Sequence, residues 1–172
     1  MSEKILDIKE ERLSFFTPAG EVKALNGVSF TMNQGDVLGV VGESGSGKSV
    51  TAYSVMGLTA YPGKLVGGKV WFNGHEIENM KEKDFRKIRG NEVSIIFQDP
   101  MTSLNPVYTI GNQIVEVILL HTKKTKQEAW ARARELLELV GINEPDRRLK
   151  QYPHELSGGM RQRVMIAMAL AC

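Results

Sequence analysis

The chain has 172 residues, of which 42% are hydrophobic and 24% are charged, and this globular composition excludes a disordered or low-complexity protein. Its formal net charge of +2 gives no case for nucleic acid as a partner, because such binders usually carry a concentrated basic face. The lone cysteine, the charged N-terminus and the lack of an apolar run near 20 residues predict a cytosolic chain that can still sit on a membrane protein.

The first predicted elements surround a glycine-rich segment. Val22–Phe30 has a rough apolar alternation and predicts a strand. Val37–Val41 is a short apolar run of the kind that forms a buried parallel strand. A helix is predicted from Gly47 to about Gly57. The expected order here is therefore strand, glycine-rich turn and helix.

A hairpin and a second buried strand are predicted next. Asn73-Gly74 joins two short strand-like runs, and Asn-Gly tolerates the positive φ angles of a type I′ turn. Met80–Arg89 predicts a weaker helix with a narrow apolar face. Val93–Phe97 predicts another buried parallel strand. Parallel and antiparallel strands together predict a mixed sheet.

The last third of the chain is predicted to be helical. Thr125 with Glu128 three residues later forms a capping box, and the helix that it opens has an apolar face ended by Gly141. A final helix is predicted from Ser157 through Ala171. Since the sequence stops inside this apolar pattern, we expect the chain to be a truncated domain.

The strongest motif follows the Val37–Val41 run and matches G-x-x-x-x-G-K-[ST] in full. Glycines let successive backbone N–H groups point at phosphate oxygens, and the helix N-terminus adds partial positive charge. The lysine then reaches the β- and γ-phosphates, and the final serine is placed to coordinate Mg²⁺. The alternative is a turn that merely joins a strand to a helix. The motif residues are Gly42, Glu43, Ser44, Gly45, Ser46, Gly47, Lys48 and Ser49.

A second candidate anion site lies at the predicted start of the final helix. Its serine offers a hydroxyl and its two glycines bring the backbone close to a ligand. The alternative is a simple helix N-cap, and the two arginines that follow favour a solvated or salt-bridged face. The segment reads Leu156, Ser157, Gly158, Gly159, Met160, Arg161, Gln162 and Arg163.

With a third motif, Phe97-Gln98-Asp99-Pro100, the sequence resembles the ATP-binding subunit of an ABC transporter from Ile5 to Ala171. The extended strings around Gln98 and Ser157 are similar to those of peptide importers (oligopeptide, dipeptide) and their nickel-importing relatives. The resemblance implies an α/β P-loop NTPase fold of the ABC ATPase type, with an antiparallel β subdomain, an inserted helical subdomain and a missing C-terminal part. It divides the chain into a P-loop core (1–99), a helical subdomain (100–156) and a signature helix (157–172).

The resemblance also assigns roles to individual residues. ATP and Mg²⁺ are the implied cofactors, with Val50 added to the nucleotide-binding motif and Ser49 and Gln98 near the metal. Gln98 would sense the γ-phosphate, and Phe15 would stack on adenine, with Phe16 and a core role as competitors. Residues 156–160, the signature, would act in trans on ATP held by the Lys48 motif of a second subunit.

The implied partners are a second ABC ATPase subunit, identical or different, transmembrane permease subunits and, indirectly, an extracytoplasmic solute-binding protein. The segment Asp99–Thr109 would lie beside the groove for the membrane subunit, which places the protein peripherally on the cytoplasmic face of the cell membrane. The family's later Asp-Glu strand and switch histidine do not occur in these residues. We therefore expect weak ATP binding and poor hydrolysis by the 172 residues alone.

Three alternatives remain open at this point. A GTPase would need Asn-Lys-x-Asp, and no Asn-Lys pair occurs in the sequence, whereas a small-molecule kinase would leave the second motif unexplained. A non-transport ABC ATPase would usually pair two cassettes or insert a coiled coil, for which 100–156 leaves no room. The third alternative is a non-catalytic fragment.

Overall fold

The computed structural model describes residues 3–99 and 103–172. The chain forms two compact units, Met1–Phe85 and Arg86–Cys172, and each is described by itself. The division at residues 99 and 156 that the family resemblance implies stays a prediction.

The first unit is built on a four-stranded antiparallel sheet in the order β2-β1-β3-β4. Its strands are β1 (Lys4–Thr17), β2 (Gly20–Asn33), β3 (Gly63–Phe72) and β4 (His75–Glu76). The predicted Val22–Phe30 strand is confirmed as part of β2. The predicted hairpin is also confirmed, since Asn73 has φ 46° and Gly74 φ 79°, the left-handed values that its turn requires.

Two short helices lie in or next to this part of the chain. The predicted first helix is confirmed as α1 (Lys48–Val55), and α2 (Glu82–Ile88) follows a 3₁₀ turn at Ile77–Asn79. Gly57 lies just after α1, where an added Cβ would clash with the Phe85 ring. Only a residue without a side chain lets this ring close against the end of α1.

The two predicted parallel strands are wrong for the described residues. Val37–Val41 has no regular structure, and Val37 and Val41 are 98% and 92% exposed. In Val93–Phe97 only Val93 makes an isolated parallel bridge, to Arg89, and Ile96 is half-exposed. The physical reason is that a strand needs a paired neighbour, and no strand among the described residues pairs with either run.

The second unit is helical. It contains α3 (Ile110–His121), α4 (Lys126–Leu139), α5 (Pro145–Arg148), a 3₁₀ turn at Pro153–Glu155 and α6 (Gly158–Ala169). The capping box is confirmed, because the Thr125 hydroxyl accepts from the Glu128 N–H at 3.3 Å and the Glu128 carboxylate accepts from the Thr125 N–H at 2.7 Å. The final helix is confirmed as α6, whereas α3 was not predicted.

The core of this unit gathers the apolar faces of α3, α4 and α6. Its fully buried members include Ile110, Ile114, Ile118, Ala129, Ala133, Leu136, Leu137 and Val164. The predicted α4 face is confirmed, with Val140 only partly buried at its end. No helix in the described parts of the chain is both long and apolar enough to span a bilayer.

The α4 face yields a stability prediction. Leu136→Ala should lower the free energy of unfolding of the helical unit by about 2–5 kcal/mol, because Leu136 is 0% exposed and truncation leaves a cavity. Urea unfolding followed by Trp130 fluorescence in a Trp71→Phe background measures this, since Trp130 packs on the same core. Leu139→Ala is the matched control, because Leu139 is 68% exposed on the same helix. Equal losses for the two variants would contradict the described core.

Candidate functional site

The glycine-rich turn runs from Gly42 into the first turn of α1. Gly45 has φ 81° and Gly47 has φ 90°, and these left-handed values are open to glycine at little cost. The turn is closed by a hydrogen bond from the Ser46 N–H to the Glu43 carbonyl at 3.2 Å. Residues 42–46 are exposed, so the loop is accessible to a ligand.

Gly47 anchors this turn to the sheet. It is buried, and an added Cβ would lie 2.7 Å from Leu25 Cδ2 and 2.9 Å from the Ala24 carbonyl oxygen. Both contacts are too close for any side chain, and the carbonyl belongs to β2 and cannot rotate aside. The start of α1 therefore sits against β2 at a distance that requires glycine.

Lys48 bends back over the turn that precedes it. Its ammonium donates to the Gly42 carbonyl at 2.8 Å, to the Glu43 carbonyl at 2.6 Å and to Ser46 Oγ at 3.3 Å. These three contacts concentrate a full positive charge at the open side of the loop. An ammonium and a helix N-terminus then face the same space, which is the charge arrangement that phosphate oxygens bind.

The first turn of α1 leaves its backbone donors available. Gly47 is the N-cap and makes no side-chain capping bond, and the first intrahelical bond runs from the Thr51 N–H to the Gly47 carbonyl at 2.9 Å. The N–H groups of Lys48, Ser49 and Val50 precede that bond and lack intrahelical acceptors. The exposed Ser49 hydroxyl supplies the hard oxygen that Mg²⁺ prefers, so the residues fit a magnesium-bound phosphate.

Phe15 lies in the same unit as the glycine-rich turn. It pairs with Val22 on β2 and with Gly63 on β3, and its ring lies 2.8 Å from where a Gly63 Cβ would be. It is half-buried, whereas Phe16 is 46% exposed. A role of Phe15 in stacking on adenine stays a prediction.

Gln98 belongs to the second unit. It is exposed and lies in a bend of the irregular segment that follows Val93. The segment is joined to the end of α6 by a hydrogen bond from Ser94 Oγ to the Ala169 carbonyl at 3.2 Å. The role of Gln98 near the γ-phosphate and, with Ser49, near the metal stays a prediction. Pro100, the last residue of this motif, and the two residues after it lie outside the described residues.

The signature segment opens α6 in the second unit. Leu156 is 4% exposed and anchors the segment in the helical core, and Met160 packs against the same core. Ser157 is the N-cap, and its hydroxyl accepts from the Met160 N–H at 3.3 Å. Gly158 and Gly159 are exposed, with no heavy atom within 4 Å of an added Cβ. As the first two residues of α6, they carry N–H groups that lack intrahelical acceptors.

Two supporting contacts were not predicted from the sequence. The first is the close contact of Gly47 with Ala24 and Leu25. The apolar alternation in β2 did not indicate which of its residues would contact the glycine-rich turn. The second is Arg163, whose guanidinium donates to the Val140 and Gly141 carbonyls at 3.0 Å each. Arg163 is exposed, as predicted, but it ties α6 to the end of α4 through carbonyl groups.

Comparison with known proteins identifies the family of the chain. The family model described as "ABC transporter" matches residues 25–172. The oligopeptide transport ATP-binding protein OppD of Escherichia coli is 50% identical over 171 residues, covering 99% of this chain and 50% of that protein. OppD of Bacillus subtilis is 52% identical (98% and 47% covered), and its dipeptide transport ATP-binding protein DppD is 48% identical (99% and 51%). The chain thus spans about half the length of the curated relatives it matches.

Solved structures agree on the fold. A dimeric structure of MJ0796, a bacterial ABC transporter cassette, superposes with a TM-score of 0.85 at 26% identity, covering 97% of this chain and 69% of that chain. A dimeric post-hydrolysis state of the same cassette, bound to ADP and Pi, gives 0.83 at 25% identity with the same coverage. These matches confirm the predicted ABC ATPase fold. Since the family model also covers most of the sequence, the chain belongs to the ABC transporter family.

Proposed function

We propose that the chain is the ATP-binding part of a subunit that couples ATP binding and hydrolysis to the import of peptides or a similar solute. The observation that carries this proposal is the Lys48 ammonium held over a glycine-rich turn at the start of α1. Identities near 50% to oligopeptide and dipeptide transport ATP-binding proteins support peptides as the solute class.

In this proposal the α1 terminus binds the β- and γ-phosphates of ATP. The N–H groups of Lys48, Ser49 and Val50 donate to phosphate oxygens, and the helix dipole favours the negative charge. The Lys48 ammonium exchanges loop carbonyls for phosphate oxygens, which are stronger acceptors because they are charged. The end of the turn is held in place by the close contact of Gly47 with β2.

Magnesium is the metal that the donor set fits. The Ser49 hydroxyl would be its protein ligand in the described part of the first unit, with phosphate oxygens and water as the others. When bound, the ion neutralises charge on the β- and γ-phosphates. Ser49 holds its oxygen in place through its position in the first turn of α1.

The signature segment is proposed to bind the γ-phosphate of ATP held by a second subunit. Gly158 and Gly159 carry exposed N–H groups at the start of a twelve-residue helix, and Leu156 fixes them to the core. The dimeric form of the MJ0796 cassette supports a paired arrangement. Transmembrane permease subunits and a location on the cytoplasmic face of the membrane follow as proposals from the transport relatives.

The role of Lys48 yields a binding prediction. Lys48→Ala should weaken Mg-ATP binding by roughly 10- to 150-fold, because a hydrogen bond to a charged group contributes about 1.5–3 kcal/mol. Isothermal titration of the chain with Mg-ATP measures the change. Lys23→Ala is the control, since Lys23 is an exposed lysine on β2 and its loss removes the same charge. The proposal fails if Lys48→Ala and Lys23→Ala bind ATP equally well.

The signature proposal is tested by two variants of equal size. Ser157→Asn and Ser157→Asp both keep the N-cap of α6 and differ by one negative charge. The aspartate should abolish ATP-dependent self-association by repelling the phosphate of the second subunit, whereas the asparagine should retain it. Sedimentation velocity with and without Mg-ATP checks this. Identical self-association of the two variants would mean that Ser157 is an N-cap alone.

That N-cap has its own expected energy. Ser157→Ala should lower the free energy of unfolding of the helical unit by about 1 kcal/mol, because the Met160 N–H loses its acceptor. Chemical denaturation of the three Ser157 variants measures this loss. The alanine variant should be less stable than the asparagine and aspartate variants, which keep the N-cap.

A further inference from the structure

The carboxyl group of Glu11 is completely buried in the first unit. Glu11 is 0% exposed, and neither of its carboxyl oxygens has a hydrogen-bond partner among the described residues. A buried carboxylate without a donor is among the costliest groups in a protein interior. Its neighbour Glu10 is exposed and paired with Arg12 at 3.5 Å, so the two adjacent glutamates have opposite environments.

A bulge in β1 turns Glu11 inward. The register of β1 with β2 shifts on both sides of Glu11, and Glu10 has a left-handed φ of 49°. Such bulges re-aim side chains by inserting a residue into the strand. Gly68 on β3 closes over this bulge, since an added Cβ there would lie 2.6 Å from the Glu11 Cα. The inward direction is therefore imposed by the backbone.

The groups that act on Glu11 are hydrogen-bond acceptors or already committed donors. Ser54 on α1 is buried, and its hydroxyl hydrogen goes to the Thr51 carbonyl at 2.7 Å. Glu78, on the 3₁₀ turn, accepts from the Val70 N–H at 3.2 Å and brings a second negative charge. Burial raises the pKa of Glu11 above its ordinary value of 4.5, and the negative charge of Glu78 adds to this rise. A hydrogen bond from the Ser54 hydroxyl to the carboxylate would lower the pKa, but the structure gives that hydrogen to the Thr51 carbonyl.

We propose that Glu11 is buried as a neutral carboxylic acid that donates a hydrogen bond to the Ser54 hydroxyl and so positions α1 on the sheet. The Ser54 oxygen keeps a lone pair after donating to Thr51, and a protonated carboxyl supplies the missing donor. Protonation also removes the repulsion from Glu78. Glu11 is then a positioning residue: it holds, through Ser54, the helix whose first turn carries Lys48 and Ser49.

The proton on Glu11 makes the free energy of unfolding depend on pH. Because the folded-state pKa of Glu11 is raised, the folded chain binds this proton more tightly than the unfolded chain. Its stabilising effect is complete below the ordinary pKa and is lost as pH rises through the folded-state pKa. In that window the unfolding equilibrium constant should rise by up to tenfold per pH unit.

The experiment compares Glu11→Gln with the control Glu10→Gln in the full chain. In ¹³C NMR spectra the Glu11 carboxyl, assigned by its loss in Glu11→Gln, should titrate above the ordinary glutamate value of 4.5. Urea unfolding should show the loss of stability with rising pH in wild type and Glu10→Gln, and none in Glu11→Gln, whose neutral amide still donates to Ser54. Ser54→Ala should raise the unfolding constant of wild type more at pH values below the folded-state pKa of Glu11 than above it.

Two results would overturn this proposal. One is a Glu11 carboxyl that titrates at the ordinary glutamate value of 4.5 or below. The other is thermal stabilisation of wild type, and not of Glu11→Gln, by Mg²⁺ or Ca²⁺ alone, which would mean that the two carboxylates hold a cation in place of a proton.

The link to Lys48 rests on the proposed function and has a separate readout. Mg-ATP affinity should fall with the ionisation of Glu11 in wild type and stay flat in Glu11→Gln over the same pH range. A flat affinity in both proteins would overturn the positioning role. Absence of ATP binding by both proteins at every pH would sink the proposed function, while NMR and unfolding would still decide the state of Glu11.

Discussion

The close seat of Gly47 on β2 is the constraint on which the phosphate-binding geometry depends. The Ala24 carbonyl and the Leu25 side chain occupy the space that any Cβ at this position would need. This contact fixes where α1 begins, and the start of α1 fixes the directions of its first N–H groups and of the Lys48 side chain. The Lys48 charge, the first N–H groups of α1 and the Ser49 hydroxyl lie together at the start of the helix. They do so because Gly47 lets α1 approach β2 closely.

The N-termini of α1 and α6 are held in place by different contacts. The start of α1 is held by the contact of Gly47 with β2 and has no side-chain cap. Its first N–H groups are therefore available to a ligand. The start of α6 is held by Leu156 in a helical core and has a serine cap that uses one N–H. Two glycines leave the remaining donors of α6 uncovered. The first terminus thus combines backbone donors with a full positive charge, and the second combines backbone donors with two exposed glycines, as the proposed binding to the ATP of a second subunit requires.

Features that depend only on neighbouring residues could be predicted from the sequence. Features that depend on pairing with distant residues could not. The Asn73-Gly74 turn and the capping box at Thr125 need only neighbouring residues, and both are as expected. The strand predicted at Val37–Val41 failed because its hydrogen bonds would have to come from a distant neighbour. Glu11 could not have been predicted to be buried, since simple alternation breaks at the left-handed Glu10. The family resemblance gave the fold class because three ordered motifs are far more specific than any strand pattern.

The central claim is that the backbone of the glycine-rich turn and the first turn of α1 binds the triphosphate. Amide chemical-shift mapping of the ¹⁵N-labelled chain during titration with Mg-ATP tests it most directly. The account predicts that the largest shifts fall on residues 44–50, because the N–H groups of Lys48, Ser49 and Val50 donate to the phosphates and the rest of the turn surrounds them. Large shifts confined to other parts of the chain, with residues 44–50 unchanged, would contradict it.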